Sequence, residues 1–296
     1  MKIGVVGSIN MDLVIRTNRI PSKGETIIGD NLIDFPGGKG ANQAVAISRL
    51  GENVTMFGCV GRDQYGECLI QNFKDEKVNT DYIREIDGVS TGVAVITVCD
   101  DDNSIIVIPG ANNCVDKDYI DSVKDKILEH NLIILQNEIP METIEYVVDF
   151  CHENGIKTIL NPAPAKKISK NLIDKLSYLT PNEHEVALIF EGENIDEVLN
   201  KYDQKLIITL GENGVKFLDE NKEIVKVPCR KSNVIDTTGA GDTFNGAFCV
   251  GLIHGKKLSG SIKFANIAAG LSTEKFGAQS GMPYLNEVLE EMGGEL

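Results

Sequence analysis

Residues 132–164 read LIILQNEIPMETIEYVVDFCHENGIKTILNPAP. An apolar run over 132–138 ends in polar residues. Pro140 then stands at a helix start, where its missing N–H leaves no hydrogen bond unmade. The helical pattern closes near Gly155. A second apolar run, 157–164, follows and also ends polar. Strand, helix and strand in this order are the unit of a parallel sheet, because parallel neighbours need a crossover between them.

The alternation continues on either side. KIGVVGS (2–8), VTMFGCVG (54–61), YLTPNE (178–183) and KLIITLG (205–211) read as further strands. The run-like ones lack two-residue alternation, as expected for strands buried on both faces. A helical pattern runs from about Asn42 to Leu50, with Gly51 as its stop. The expected class is α/β, with a mostly parallel sheet covered by helices. No repeat or low-complexity linker divides the chain, so a single domain over 1–296 is expected. Two stretches, 12–36 and 91–112, read instead as inserted β-hairpins. GVAVITV, within the second, carries apolar residues on both faces. Those faces are covered either by substrate and another subunit or by the parent domain.

Composition narrows the partners. Lys plus Arg is 29 and Asp plus Glu is 44, a net charge of −15. A surface this acidic argues against nucleic acid or anionic membrane as partner. An anionic substrate must then be held by local devices such as helix ends, glycine loops or a metal. Met1-Lys2 leads into an apolar run too short for a signal sequence, and no stretch approaches 18 apolar residues. Seven scattered cysteines without C-x-x-C and four isolated histidines argue for free thiols in a reducing compartment and against structural zinc. A cytoplasmic location is expected.

In open parallel sheets, ligands bind beyond the carboxyl ends of the strands. Here those ends are polar: Asn10 and Asp12, Glu138, Asn161, Asn182 and Glu185, then Thr209 with Gly211 and Gly214. Two glycine loops open helices nearby. GGKGANQA (37–44) carries Lys39. DTTGAGDTFNGAF (236–248) precedes Phe244, Ala247, Phe248, Gly251 and Leu252, one face of a helix. Gly239-Ala240-Gly241 should form the turn into it and present free N–H groups to an anion. Neither G-x-x-x-x-G-K-[ST] nor G-x-G-x-x-G is present. Asp242 stands at the anion hole instead. It repels a resting phosphate, yet it suits removal of a hydroxyl proton beside a transferring phosphoryl group. The alternative is a helix N-cap. Glu138 could equally be a helix-entry carboxylate, Asn182 and Glu185 could cap and charge their helix, and Asn266 could be a core amide.

GGKGANQA and DTTGAGDTFNGAF resemble, in order, the two signature motifs of the ribokinase family of carbohydrate kinases. GSINMD (7–12), NPAPA (161–165), TPNE (180–183) and FGAQSG (276–281) extend the resemblance over nearly the whole chain. It implies a three-layer α/β fold with a small β-sheet lid, formed by about 12–36 and 91–112. The implied reaction moves the γ-phosphoryl of ATP to the 5-hydroxyl of ribose. It implies Asp242 as base, and Gly239, Ala240 and Gly241 as the anion hole. Sugar would be held by Asn10, Asp12, Gly38, Lys39, Asn42, Glu138 and Asp242. ATP would lie against Asn182, Thr209, Leu210, Gly211, Glu212, Asn213, Gly214, Gly241 and Asn266. Glu185 matches the position linked to Mg2+, directly or through a water. Asp236, Thr238, Ser272, Lys275, Gly277 and Gly281 match a loop site for a monovalent cation, usually K+. A homodimer through the lid sheets is expected. The open alternatives are a kinase for 2-deoxyribose, another small furanose or a nucleoside, and a non-catalytic sugar sensor.

Overall fold

The strand–helix–strand unit at 132–164 forms as read. Leu132–Gln136 and Lys157–Asn161 pair in parallel, Leu132 beside Lys157 and Gln136 beside Asn161, with helix Met141–Glu153 between them. The computed structural model describes residues 2–99 and 102–294. In chain order the strands are β1 (Ile3–Val6), β2 (Asn10–Arg16), β3 (Asn31–Gly37), β4 (Val54–Gly61), β5 (Asn79–Ile86), β6 (Gly92–Cys99), β7 (Asp102–Ile108), β8 (Leu132–Gln136), β9 (Lys157–Asn161), β10 (Tyr178–Leu179), β11 (Ile207–Thr209), β12 (Val215–Leu218) and β13 (Ile224–Val227).

The central sheet is parallel, in the order β10-β9-β8-β1-β4-β5. Its apolar runs are explained by two cores. Ile3, Val5, Leu132 and Ile134 enter one core with Val45 and Ile47 of helix Lys39–Arg49, Phe248 of helix Ala240–Ile253 and Phe264 of helix Leu258–Ser272. Val6, Ile133 and Leu135 enter the other with Tyr119 of helix Lys117–Ile127 and Val147 of Met141–Glu153. Successive strand residues therefore point to opposite apolar layers, which removes any polar alternation.

The order also locates a site. From β1 the chain steps to β4 and β5 on one side, and later to β8 on the other. The crevice beyond the ends of β1 and β8 is a topological switch point, where open α/β sheets bind ligands.

Residues 12–36 and 91–112 form the two hairpins read from the sequence, β2-β3 and β6-β7. They join in one sheet, β3-β2-β6-β7, whose middle strands β2 and β6 pair in parallel. Asn10 and Asp12, read from the sequence as following the first strand, lie inside β2. A third sheet, β11-β12-β13, is antiparallel and is joined to the body by parallel bridges from Leu179 to Leu206 and Asn182 to Thr209.

Several strands end earlier than the sequence reading placed them, β9 at Asn161 and β11 at Thr209 among them, and two boundaries have a clear local cause. The strand read over 178–183 shortens to Tyr178–Leu179, since Pro181 has no N–H to give a ladder and Asn182 caps the next helix. The helix read from about Asn42 begins at Lys39. Gly38 allows this tight entry: its φ is 88°, and a Cβ there would stand 2.8 Å from the Asn10 nitrogen.

Candidate active site

The residues at the switch point touch across the crevice. Ser8, just past β1, donates from Oγ to Glu138 Oε2 at 2.5 Å, and the Lys39 N–H donates to the same oxygen at 3.0 Å. The first turn of helix Lys39–Arg49 is thus pinned to the end of β8. Asn10 is buried, and its Oδ1 accepts from Asn112 Nδ2 at 2.6 Å. That contact occupies one lone pair of the Asn10 carbonyl.

Asp242 reaches the same place from the opposite helix. Gly239, left-handed at φ 77°, is the N-cap of helix Ala240–Ile253, and a Cβ there would stand 2.9 Å from Ala278. The N-cap reading of Asp242 is therefore corrected, because Asp242 lies inside the first turn. Its carboxylate does not turn back on the helix backbone. Oδ2 accepts from Asn42 Nδ2 at 2.9 Å, and Oδ1 accepts from Gln43 Nε2 at 3.0 Å. Of the three expected anion-hole donors, the Ala240 N–H instead donates to the Thr237 carbonyl at 3.2 Å. Gly241 faces open space, where an added Cβ would meet nothing within 4 Å.

One cation serves four acids here. Burial pulls Lys39 down, but the nearby charges of Asp242, Glu138, Glu185 and Asp12 outweigh it and leave the ammonium firmly protonated. Burial pushes Asp242 up, while Lys39, Asn42 and Gln43 oppose the rise and Glu138 adds to it. Burial also drives Asp12 to about 7, helped by Glu138 and Asp242 and resisted by Lys39. The Asp12 carboxylate occupies the space beside Gly37, where a Cβ would come within 2.1 Å of it. Beneath the small sheet, Asp12, Val14, Phe35, Ile96, Ile235 and Phe276 wall a cleft of about 300 Å³.

A second group of predicted residues gathers at β10 and β11. Asn182 and Glu185 form a capping box: the Glu185 N–H donates to Asn182 Oδ1 at 2.9 Å and the Asn182 N–H to Glu185 Oε2 at 2.8 Å. Their local capping role is real, and it fixes the first turn of helix Glu183–Ile189. Thr209 lies beside Asn182, and Leu210 to Gly214 make the tight turn into β12. Asn266 donates to the Pro228 carbonyl at 2.7 Å, so its amide has a partner in the body of the protein. Burial lifts Glu185, its bond from Asn182 and the Lys39 charge opposing.

The third group brackets the glycine turn. Asp236 accepts from the N–H of Thr238 at 2.9 Å and of Gly277 at 2.8 Å. Ser272 and Lys275 turn their carbonyls toward Gly281, where a Cβ would come within 2.6 Å and 3.4 Å of them. The side chain of Lys275 points away to Glu287.

Four residues of this region carry no mark in the sequence reading: Ser8, Gln43, Asn112 and Gln279. Ser8, Gln43 and Gln279 lie within the quoted motifs. A polar side chain kept inside a glycine-lined helix entry was the available signal. Asn112 meets Asn10 only through folding.

The sequence matches the model of the pfkB family of carbohydrate kinases over residues 1–285. The chain belongs to that family. As a pfkB-family chain it is 52% identical over 288 residues to a protein of Lactococcus lactis named ribokinase, covering 97% of this chain and 95% of that one. The pfkB fold is matched by the crystal structure of a Thermotoga maritima ribokinase, with TM-score 0.90, 35% identity and 98% and 99% of the two chains covered. It is matched also by an Arabidopsis thaliana ribokinase complexed with ribose and ATP, with TM-score 0.89, 30% identity and 97% of each chain covered. A pfkB-family kinase is a phosphotransferase acting on a carbohydrate hydroxyl, so this protein is a sugar kinase. Among the described residues no helix is long and apolar enough to cross a membrane.

Proposed function

We propose that the protein phosphorylates D-ribose at its 5-hydroxyl, using ATP. The observation that carries this is the meeting of Asp242, Asn42, Lys39 and Glu138 at the switch point, with Asp12 on the small sheet above. A furanose offers hydroxyls that donate and accept, and these acids and amides pair with both functions. Asp242 takes the 5-hydroxyl proton, and the oxygen attacks the γ-phosphorus. The bond to the bridging oxygen breaks and ADP leaves. Charge developing on the transferred group is met by N–H groups at the first turn, where Gly241 leaves room beside the backbone. A non-catalytic sensor could lose the base, so an intact Asp242 beside the glycine turn favours a kinase.

ATP would lie along Asn182, Thr209 to Gly214 and Asn266. Mg2+ arrives with the nucleotide phosphates and supplies charge neutralisation there. The described residues contain no group of three or more His, Cys, Asp or Glu able to cage a metal, which suits an ion that keeps its waters and takes one carboxylate. Glu185 has one oxygen outside the capping box for it. For a monovalent cation, the Ser272 and Lys275 carbonyls facing Gly281 form a cradle that a Cβ would fill. These are oxygen donors of the kind a potassium ion takes. Release of ADP, followed by a coupled assay over a panel of sugars, tests the main reading, and ribose should give the highest kcat/KM. In the same assay, potassium should exceed sodium at fixed ionic strength; equal rates in both salts would remove the cation from the scheme.

Asp12 makes sugar binding pH-dependent. Its carboxyl, pushed up to about 7, is largely protonated below that pH in the free enzyme. Sugar hydroxyls donate to the ionised form. Affinity should therefore weaken as pH falls below 7, by up to about tenfold per unit, with a proton released on binding near neutrality. Calorimetry in two buffers of different ionisation enthalpy reads that proton. An affinity constant from pH 5 to 8 would contradict the assignment.

The small sheet is proposed to act as a lid and as a dimer contact. Register puts Val14, Ile96 and Ile105 on the face of Asp12 and puts Ile15, Leu32, Val95 and Ile106 on the other. Leu32 is 62% exposed and Ile106 is 66% exposed. Such an outward apolar face supports pairing with a second copy. Sedimentation should give a dimer at micromolar concentration and Ile106→Asp a monomer. A wild-type monomer throughout that range would refute it.

A further inference from the structure

Two chains of amides donate in series toward Asp242. Asn72 Nδ2 donates to Gln279 Oε1 at 2.9 Å, Gln279 Nε2 to Asn42 Oδ1 at 3.1 Å, and Asn42 Nδ2 to Asp242 Oδ2 at 2.9 Å. From the other side, Gln136 Nε2 donates to Gln43 Oε1 at 2.7 Å and Gln43 Nε2 to Asp242 Oδ1 at 3.0 Å. The direction is set by the carboxylate. Ionised, it only accepts, so Asn42 and Gln43 turn an NH2 inward, which leaves their carbonyls to accept from Gln279 and Gln136 behind them. Gln43 Nε2 also donates to Asn161 Oδ1 at 3.1 Å, so both of its protons are placed. Gln136 holds this orientation although its own Oε1 is buried without a partner. Hydrogen bonds aligned in series polarise one another in a low-dielectric interior.

We infer that Gln43 is a positioning residue for the reaction: backed by Gln136, it holds one oxygen of Asp242 ionised and aims the other, with Asn42, at the incoming hydroxyl. The inference rests on Asp242 being the base. Gln43 is itself fully buried and lies one residue past the predicted sugar contact Asn42. Its work is to offset what burial does to Asp242. The charges facing Asp242 are Lys39, which favours ionisation, and Glu138 and Asp12, which oppose it; Glu185 acts on the same Lys39. One ammonium shared among four acids leaves the neutral amide donors a substantial part of the task.

The test is Gln43→Met, which keeps the length and apolar stem and removes the donor. A hydrogen bond to a charged group is worth enough to move a carboxyl by about 1 to 2 pH units. The acid limb of the kcat–pH profile should move up by that amount. The loss should reach about 10- to 100-fold below the limb and shrink at high pH. A merely structural defect would lower kcat equally at every pH. Carboxyl-13C NMR of labelled aspartate in the ligand-free protein, with Asp242→Asn used to assign the signal, reads the same shift without catalysis. An unmoved Asp242 titration overturns the inference, whether activity falls or not. If Asp242→Asn were active, the base reading would fail separately, and the titration would still decide whether Gln43 governs the carboxyl. Should Gln43→Met not fold, Gln136→Met probes the chain one step further back, with a smaller shift of the same sign expected; no shift there overturns the proposal equally.

Discussion

Asp242→Asn should lower kcat by about 10²–10⁴-fold, the usual worth of a general base, while ATP binding survives. The substitution is isosteric, and the side chain it replaces is buried between helices Lys39–Arg49 and Ala240–Ile253. The first-turn N–H groups, the Gly239 cap and the residues at Thr209 to Gly214 are not altered. What is lost is proton acceptance. The new NH2 must also face Asn42 or Gln43, both of which present donors, so one amide has to turn and the remaining alignment suffers. Nucleotide affinity measured by calorimetry should be close to wild type, and kcat should carry nearly the whole effect. Near wild-type kcat in the variant would remove Asp242 from the chemistry.

The second large effect concerns which sugar is used. Asp12 and Asn10 lie on β2 with their neighbours on β3 and β6, and Asn112 donates to the Asn10 carbonyl and fixes that side chain. If these groups read the ribose ring hydroxyls, 2-deoxyribose leaves a buried partner unmatched, at about 1–3 kcal/mol. Sites built on such bonds reject the analogue lacking the hydroxyl. A water can substitute in part, so the preference for ribose should be on the order of 10–10³-fold in kcat/KM. Asp12→Ala should then cut activity on ribose far more than on 2-deoxyribose. Four measurements, two sugars on two proteins, give the coupling. Equal losses would mean that Asp12 does not read the 2-hydroxyl, and would bring 2-deoxyribose back as the natural substrate.

Much of this protein is local information. The strands of the central sheet are legible at Leu132–Gln136 and Val54–Gly61 because their side chains are apolar on both faces, a composition that only a doubly covered strand tolerates. The two glycine loops that open helices, before Asn42 and at Gly239 to Gly241, are legible because glycine is needed where the backbone turns sharply into a helix, although the first helix starts at Lys39. The family motifs coincide with these entries, so the candidate base and its partner Asn42 could be named before any fold was known. The capping box of Asn182 and Glu185 is equally local, three residues apart on one turn.

What the sequence could not contain is decided by which elements lie side by side. Sheet order puts β8 next to β1, and only then do Ser8 and Glu138, 130 residues apart, meet. Gln43 and Asp242 are 199 residues apart, and Gln279 and Asn42 are 237 apart. No periodicity or spacing records such pairs. The parallel pairing of β2 with β6, which sets the two hairpins side by side, is likewise non-local. The same holds for Asp12 near 7: its own neighbours in sequence are ordinary, and its shift comes from burial, Glu138 and Asp242. Residue types and turns are set by short-range sterics and hydrogen bonding along the chain. Proton affinity, amide direction and the closeness of the acids are set by burial and by charges that the chain brings together only once it has folded.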